Sequence, residues 1–330
     1  MTELRVAWYR QCAKGGIWVS GWLDRLIVKS ASAAMFARHW RATIGFRRHM
    51  GRWPQLCPPV RHNDKFFWRK VFDHNPLFQV FCDKLACKEW VRECCPEVLI
   101  PATLWQGTSA RDIPDDLLLR PAFIKANNGS SYNIRIDGNT VDRKAIENSF
   151  SRWLSRPYGQ GNAEWGYKHV PRTVFVEEIV STPGGTAPVM TNVYTAGGKP
   201  VAIFCISGWK DGDRRGSFFN LDGSRVSQQP DDLSRLPDDW RPPSNLDKVV
   251  EYSRILVRDT DQIRSDFLCQ DGKIWFSEMT PYPLSGLGSF DSLGEELQIY
   301  GNWDLRQSWF LRTRHSGWKR IYADALRRML

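Results

Sequence analysis

Two acids and a threonine late in the chain have the types and spacing to hold a divalent cation. Asp266 lies in the run Ile263-Arg264-Ser265-Asp266-Phe267-Leu268, and Glu278 and Thr280 lie in Ile274-Trp275-Phe276-Ser277-Glu278-Met279-Thr280-Pro281. Between the runs stands Gln270-Asp271-Gly272-Lys273, and apolar residues alternate with polar ones on both sides of its Asp-Gly pair. This pattern predicts a two-stranded hairpin. With Asp266 and Glu278 on one face and Thr280 two residues further along it, the hairpin offers hard oxygens to a Mg²⁺ ion carrying nucleotide phosphates. The alternative is an acidic pair on the solvent side of an ordinary amphipathic hairpin.

A second constellation begins at Lys125, which ends the apolar run from Leu118 and is followed by Asn127-Asn128-Gly129-Ser130-Ser131. Backbone amides and hydroxyls of such a loop close over phosphates, and the lysine supplies a point charge for their oxygens. The alternative is a strand-end lysine before an ordinary turn. The Gly-x-x-x-x-Gly-Lys pattern is absent, so the loop is not a Walker motif.

The elements that must position these residues mix helices with antiparallel strands. Phe78, Phe81, Leu85 and Val91 predict one helix over 77–95, stopped near Pro96, and Ile146, Phe150, Trp153 and Leu154 predict another over 143–156. Residues 173–180 are β-rich, and Val193-Tyr194-Thr195 and 200–205 flank Ala196-Gly197-Gly198-Lys199 as a further hairpin. Residues 207–245, rich in Gly, Asp, Arg and Pro, read as a long functional loop or lid. No internal repeat is visible. The pattern argues for an α+β architecture.

At 330 residues, with 42% hydrophobic and 25% charged residues, the chain has the composition of a soluble globular protein of one large or two ordinary domains. No apolar run is long enough to span a bilayer, and Met1-Thr2-Glu3-Leu4-Arg5 does not open a secretory signal, so a cytoplasmic location is expected. The eight cysteines include no Cys-x-x-Cys pair and no matching histidine spacing, and are read as reduced thiols. Charge is uneven: residues 1–70 hold 14 Lys+Arg against 3 Asp+Glu, residues 301–330 hold 7 against 2, and the remainder 25 against 31. Phe36, Trp40 and Ile44 form an apolar stripe, with Arg38, Arg41 and Arg48 on the other side of the same predicted helix. The plain reading is a helix docked on its own domain. The alternative is peripheral contact with an anionic membrane, for which the 16 tryptophans and flanking arginines are suited. No nucleic-acid reader motif is present.

Taken in order, these parts resemble the ATP-grasp superfamily, and within it the teichuronopeptide-biosynthesis, TupA-like branch. Asn63-Asp64-Lys65-Phe66-Phe67-Trp68 is similar to that branch's "NEKIxW", and Asp83-Lys84-Leu85-Ala86-Cys87-Lys88-Glu89-Trp90-Val91 to its "DKxxVRxYV". Leu99-Ile100-Pro101 and Phe123-Ile124-Lys125 resemble "LIP" and "FVLK". Arg264-Ser265-Asp266-Phe267 resembles "RVDxY", and Glu278-Met279-Thr280 resembles "ELT", with Ser285-Gly286 following as in "PxSG". The match runs over roughly 60 to 300, and the ordered set is more specific than any single motif. One stretch departs: where the branch has "DYK", this chain has Met190-Thr191-Asn192, without the carboxylate and the lysine.

The resemblance implies an ATP-grasp fold with the nucleotide between two α+β subdomains. With the charge distribution this gives a basic, mostly helical segment over 1–75, a catalytic domain over 76–300 and a basic helical tail over 301–330. By the same resemblance Lys84 and Lys125 hold ATP phosphates, and Asn128, Gly129, Ser130 and Ser131 fold over them. Glu177, Glu178 and Ile179 form the hinge against adenine, Asp266, Glu278 and Thr280 hold Mg²⁺, and Arg264 stabilises the reacting oxyanion, with Lys125 counted beside it as catalytic. The implied activity is ADP-forming carboxylate–amine ligation through an acyl phosphate, on small-molecule or glycan-linked substrates in cell-surface polysaccharide or teichuronopeptide-like synthesis. The rivals are an ATP-dependent sugar kinase of the same fold, and a non-catalytic protein that binds nucleotide or a membrane surface.

Overall fold

The computed structural model describes residues 3–139, 141–180, 187–208, 212–227, 233–288 and 303–330, with residues 3–20 described by backbone alone. The chain opens with helices α1 (Glu3–Arg38), α2 (Trp40–Met50), α3 (His62–Phe72), α4 (Leu77–Cys82) and α5 (Lys84–Cys94). Strand β1 (Thr103–Gly107), the short helix α6 (Asp115–Leu118), strands β2 (Pro121–Ala126) and β3 (Asn133–Asp137), helix α7 (Arg143–Ser155) and strand β4 (Val174–Glu178) follow. Next come β5 (Val189–Ala196), β6 (Lys199–Ser207), β7 (Arg215–Phe219), the two-residue β8 (Ser234–Arg235), α8 (Leu246–Val257), β9 (Arg264–Gln270) and β10 (Lys273–Thr280). Helices Trp309–Arg312 and Gly317–Met329 close the chain.

The strands form two sheets, one of four in the order β1-β4-β2-β3 and one of six in the order β10-β9-β5-β6-β7-β8. All pairs are antiparallel except β7 with β8. The two main hairpins turn where the sequence places turn residues: Asp271 and Gly272 have φ of 48° and 74°, Gly197 and Gly198 of 60° and 70°. Two successive positive φ values match the twist of a two-residue hairpin, which asks for Gly, Asn or Asp. Period-two alternation then sorts the six-stranded sheet. Val193, Ile203, Cys205 and Phe267 pack in one cluster with Val249, Leu256 and Val257 of α8, while Tyr194, Phe204 and Phe218 belong to a different cluster. A third cluster joins Ile146 and Phe150 of α7 to Ile124 and Val176 of the four-stranded sheet.

Arg69 of α3 is fully buried and ties both ends of the β9–β10 hairpin to that helix. Its guanidinium donates to the Gln262 carbonyl at 2.8 Å, the Pro281 carbonyl at 3.0 Å and Asp261 Oδ1 at 2.7 Å. The C-terminal helix packs against α1 and α3. Arg328 grips Asp24 with two bonds of 2.9 and 2.7 Å, and the Tyr322 ring stacks on Phe72 at 4.3 Å while its hydroxyl accepts from Trp68 at 2.8 Å. The seven described cysteines are free thiols, and no described helix is long and apolar enough to cross a membrane.

Three local expectations are corrected. The single helix over 77–95 breaks at Asp83, whose backbone is extended and whose carboxylate accepts from the amides of Leu85 and Ala86, capping α5 as a separate helix. The loop or lid over 207–245 contains β7, which pairs with β6 because Phe218 and Phe219 are buried; residues 209–211 and 228–232 of that span lie outside the described ones. The stripe of Phe36, Trp40 and Ile44 is interrupted at His39. The break re-phases the helix, so Trp40 is 55% exposed while Ala42, Thr43 and Phe46 face inward.

Candidate active site

Antiparallel register brings the acids together. Asp266 of β9 lies opposite Glu278 of β10 and Asn192 of β5, and Arg264 lies opposite Thr280 and Tyr194. A bulge between Phe276 and Glu278 adjusts the pairing, so that Glu278 shares a face with Asp266. Arg264 holds Asp266 by two bonds, Nε to Oδ1 at 2.7 Å and Nη2 to Oδ2 at 2.6 Å, and Nη2 stands 3.6 Å from Glu278 Oε1. The Thr280 hydroxyl donates to Glu278 Oε1 at 3.1 Å. Burial pushes the Asp266 carboxyl up to about 7 and Glu278 adds to the rise, while Arg264 pulls it down. Burial works against the charge on Arg264, but Asp266 holds it firmly protonated.

Across the cleft stand three lysines. Lys125 of β2 is paired with Glu177 Oε1, and the other oxygen of that carboxylate takes Lys88 Nζ at 2.5 Å. Lys88 also donates to the Pro101 carbonyl at 2.8 Å. Lys84, the first residue of α5, donates to the Gly129 carbonyl. Burial lowers the Lys84 ammonium, with Glu278 opposing the shift and Lys125 assisting it. Burial raises Glu177, but Lys125 and Lys88 together hold it below the ordinary carboxylate value.

The phosphate-type loop is fixed from below. Asn127 Oδ1 accepts from the Leu85 amide at 3.0 Å, which joins the loop to the start of α5. A Cβ on Gly129 would come within 2.6 Å of the Tyr132 ring, so only glycine fits there. Asn128 is buried, and its Oδ1 has no hydrogen-bond partner among the described residues.

These groups enclose a cleft of about 710 Å³, whose walls include Lys84, Lys125, Ser130, Ser131, Glu177, Arg264, Asp266 and Glu278. Thr280 lies behind Glu278 and outside that lining, and Asn128 and Gly129 lie outside it too. A smaller space of about 40 Å³ opens beside Lys125 and is bordered by Glu177, Glu178, Phe123, Val180, Leu268 and Phe276. Glu178 accepts from the Ala102 amide at 2.8 Å. Ile179 borders neither space, and its neighbour Val180 does.

Sequence reasoning passed over Lys88, although it stands one helical turn after Lys84 and therefore on the same face. It flagged the Met190-Thr191-Asn192 departure without placing it. Met190 and Asn192 face the cleft, and Asn192 Oδ1 has no partner among the described residues. Among the described residues no group of three His, Cys, Asp or Glu converges as a metal site, and the Thr280 hydroxyl is engaged with Glu278.

The chain matches the family model described as TupA-like ATPgrasp over residues 64–297, the same family the ordered motifs resemble. A search of curated proteins finds no match. Among solved structures it is similar to the D-alanine–D-alanine ligase of Bacillus anthracis, with 16% identity, 61% of this chain and 57% of that one covered, and a TM-score of 0.39. It is also similar to the ATP-grasp ligase PsnB complexed with a minimal precursor, with 10% identity, 78% and 64% covered, and a TM-score of 0.37. A third is N5-carboxyaminoimidazole ribonucleotide synthetase of Thermus thermophilus, with 15% identity, 62% and 46% covered, and a TM-score of 0.34. The chain thus spans less than two thirds of the length of each of these proteins.

Proposed function

The chain belongs to the TupA-like ATP-grasp family, and from that premise we propose that it is an ATP-dependent ligase that joins a carboxylate to an amine and releases ADP and phosphate. The observation that carries this reading is the facing of Asp266, Glu278 and Arg264 on one side of the cleft by Lys84, Lys88 and Lys125 on the other.

The residues fit Mg²⁺. Asp266 and Glu278 are hard donors on adjacent strands, and the raised Asp266 reflects burial next to a second acid, a placement that a cation relieves. A magnesium ion usually takes only one or two carboxylates and completes its shell with water and phosphate, so the two acids, with the Thr280 hydroxyl orienting Glu278, are a sufficient set. When bound, Mg²⁺ neutralises charge that develops on the phosphates. In this reading Lys84, Lys125 and Lys88 bind phosphate oxygens, the loop from Asn128 to Ser131 shields them from water, and Glu177, Glu178 and Ile179 border the adenine. Phosphoryl transfer asks chiefly for such positioning and charge compensation. The substrate carboxylate attacks the terminal phosphorus and ADP departs; the amine then attacks the acyl carbonyl and phosphate departs. Arg264 orients the carboxylate and stabilises the oxyanion in both steps.

The finer reading places this activity in cell-surface polysaccharide or teichuronopeptide-like synthesis, with the protein peripheral to an anionic membrane. Support for the membrane contact comes from exposed Trp22, Leu23, Trp40 and Trp53, with Arg41 over the Trp40 ring at 5.3 Å and Arg47 over Trp53 at 4.4 Å. Co-sedimentation with anionic vesicles at low salt, lost at high salt, is the expected result. Vesicles that leave the protein in the supernatant at low salt return these residues to ordinary surface.

A nucleotide-binding protein without turnover is the second reading, favoured by Met190 and Asn192 at the cleft wall where the family carries charge. Chromatography after incubation with Mg-ATP, amino acids and amino sugars separates the readings. ADP with amide supports the ligase, phosphorylated sugar points to the kinase, and AMP contradicts the acyl-phosphate route. Binding of ATP without consumption in any mixture transfers the conclusion to the second reading.

A further inference from the structure

A second cavity, of about 530 Å³, shares no lining residue with the cleft and lies where α1, the end of α3, residues 158–168 and the C-terminal helix meet. Its volume falls in the range of small-molecule sites. Lys70 of α3 is only 4% exposed and its ammonium forms no hydrogen bond or ion pair among the described residues, yet it lines this cavity. Burial pulls the ammonium down to about 8, and Glu164 partly restores it. A largely buried ammonium with no hydrogen-bond partner, opposed only by Glu164 at longer range, is poorly compensated until an anion comes to it, and an apolar side chain would pack there without that penalty. The groups around it are arranged for recognition. Arg38, Lys168 and Lys319 add positive charge against the single acid Glu164, whose Oε1 is already held by the Ser285 hydroxyl at 2.5 Å. His74, which burial keeps neutral by lowering it to about 4, stacks on Trp165 at 4.8 Å and 5° and makes a flat wall. Trp318 is exposed at the edge.

We propose that this cavity is a second ligand site for a phosphorylated small molecule that carries a ring, with Lys70 as the buried contact for the phosphate and the His74–Trp165 stack as the contact for the ring. Glu164 accepts from a ring hydroxyl. A sugar phosphate and a nucleoside monophosphate share this chemistry. The site also adjoins the cleft: Tyr158 in its wall packs against Gly129 of the phosphate-type loop, and Ser285 on Glu164 neighbours Leu284 in the cleft wall. The inference does not depend on the ligase reading.

Reductive methylation with formaldehyde and cyanoborohydride is a suitable probe, because the aldehyde condenses with a free amine, releasing water, hydride reduces the imine to the methylated amine, and the reagent brings no phosphate of its own. The full chain is labelled with Mg-ATP present, and labelled lysines are located by peptide mass mapping. Lys70 is expected to react while the second cavity is free of ligand, and a bound phosphate, by holding its ammonium protonated, is expected to slow that reaction about tenfold while exposed Lys199 and Lys248 are unaffected. Inorganic phosphate, glucose 1-phosphate and uridine 5′-monophosphate are then tested as protectors. Stronger protection by the second or the third identifies a sugar phosphate or a nucleotide. Lys168→Ala, an exposed change at the rim, is expected to weaken protection several-fold. The proposal fails if Lys70 stays unmodified while Lys199 and Lys248 react, or if none of the three compounds slows its modification.

Discussion

The two walls of the cleft carry opposite charge and settle it in mirror fashion. On the six-stranded sheet, two acids, Asp266 and Glu278, enclose one arginine; on the opposite side, two lysines, Lys88 and Lys125, enclose one glutamate. Each wall is compensated from within only in part, which leaves one negative charge on the first and one positive charge on the second, before Lys84 is counted. Binding is therefore an exchange of partners, and its net free energy is a difference between two sets of ion pairs. A ligand that brings only anions can satisfy the lysines alone. One that brings phosphates together with a divalent cation answers both walls at once.

The harshest way to break the symmetry is Asp266→Asn. The change removes the charged partner of two Arg264 bonds and leaves Glu278, at 3.6 Å, as its acid, so stability to urea falls by about 1–3 kcal/mol, and Mg²⁺-dependent ADP release falls on the order of 100-fold. Turnover at the wild-type level in the folded variant would remove the acids from the site. Next in size, Lys125→Ala is expected to weaken Mg-ATP binding about tenfold, or ~1.4 kcal/mol, by calorimetric titration. Lys248→Ala, an exposed substitution on α8, serves as the control; equal losses in the two variants would move the phosphates elsewhere.

Glu177→Gln sharpens the comparison from the other side. It leaves Lys88 and Lys125 without their counter-charge, so the nucleotide-free protein loses about 1–3 kcal/mol, while Mg-ATP raises its melting temperature more than that of the wild type. Equal ligand-induced shifts in the two proteins would mean that Glu177 does not compete with phosphate. The smallest effect is read in acid. Glu177 is held below its ordinary 4.5, so its ion pairs stabilise the fold fully above that pH and progressively less as pH falls through the folded value. The stability gap between wild type and Glu177→Gln is expected to stay level down to about pH 4.5 and to narrow below it, in urea titrations at stepped pH. A gap that widens in acid would reverse the assigned sign.

What the sequence disclosed divides along local and distant causes. The hairpin that carries Asp266, Glu278 and Thr280 was legible from its two-residue turn, but strict alternation from that turn would set Ser277 opposite Asp266; the bulge between Phe276 and Glu278, which the pattern does not record, brings Glu278 there instead. The break at Asp83 followed from a side-chain cap that periodicity does not record. Glu177 was expected at an adenine hinge, and nothing in the sequence signalled that its carboxylate also pairs with Lys125 and Lys88, since that pairing depends on β2 and β4 meeting across 52 residues of chain. Lys88 was quoted in a motif and left without a role. The second cavity was invisible for the same reason of distance, since Lys70, Glu164 and Trp318 come from segments with no common pattern.

Arg69 has a consequence for how this chain can be cut and recombined. Its three anchors, at Asp261, Gln262 and Pro281, sit at the feet of the hairpin that carries Asp266 and Glu278. A seam placed between α3 and α4 would leave the buried Asp261 with only the Trp303 indole N–H as partner, at 2.6 Å, and release both feet together. Any chimera that grafts the late hairpin onto another member of the family must therefore transfer α3 with it, although Arg69 and Asp261 lie 192 residues apart in the chain.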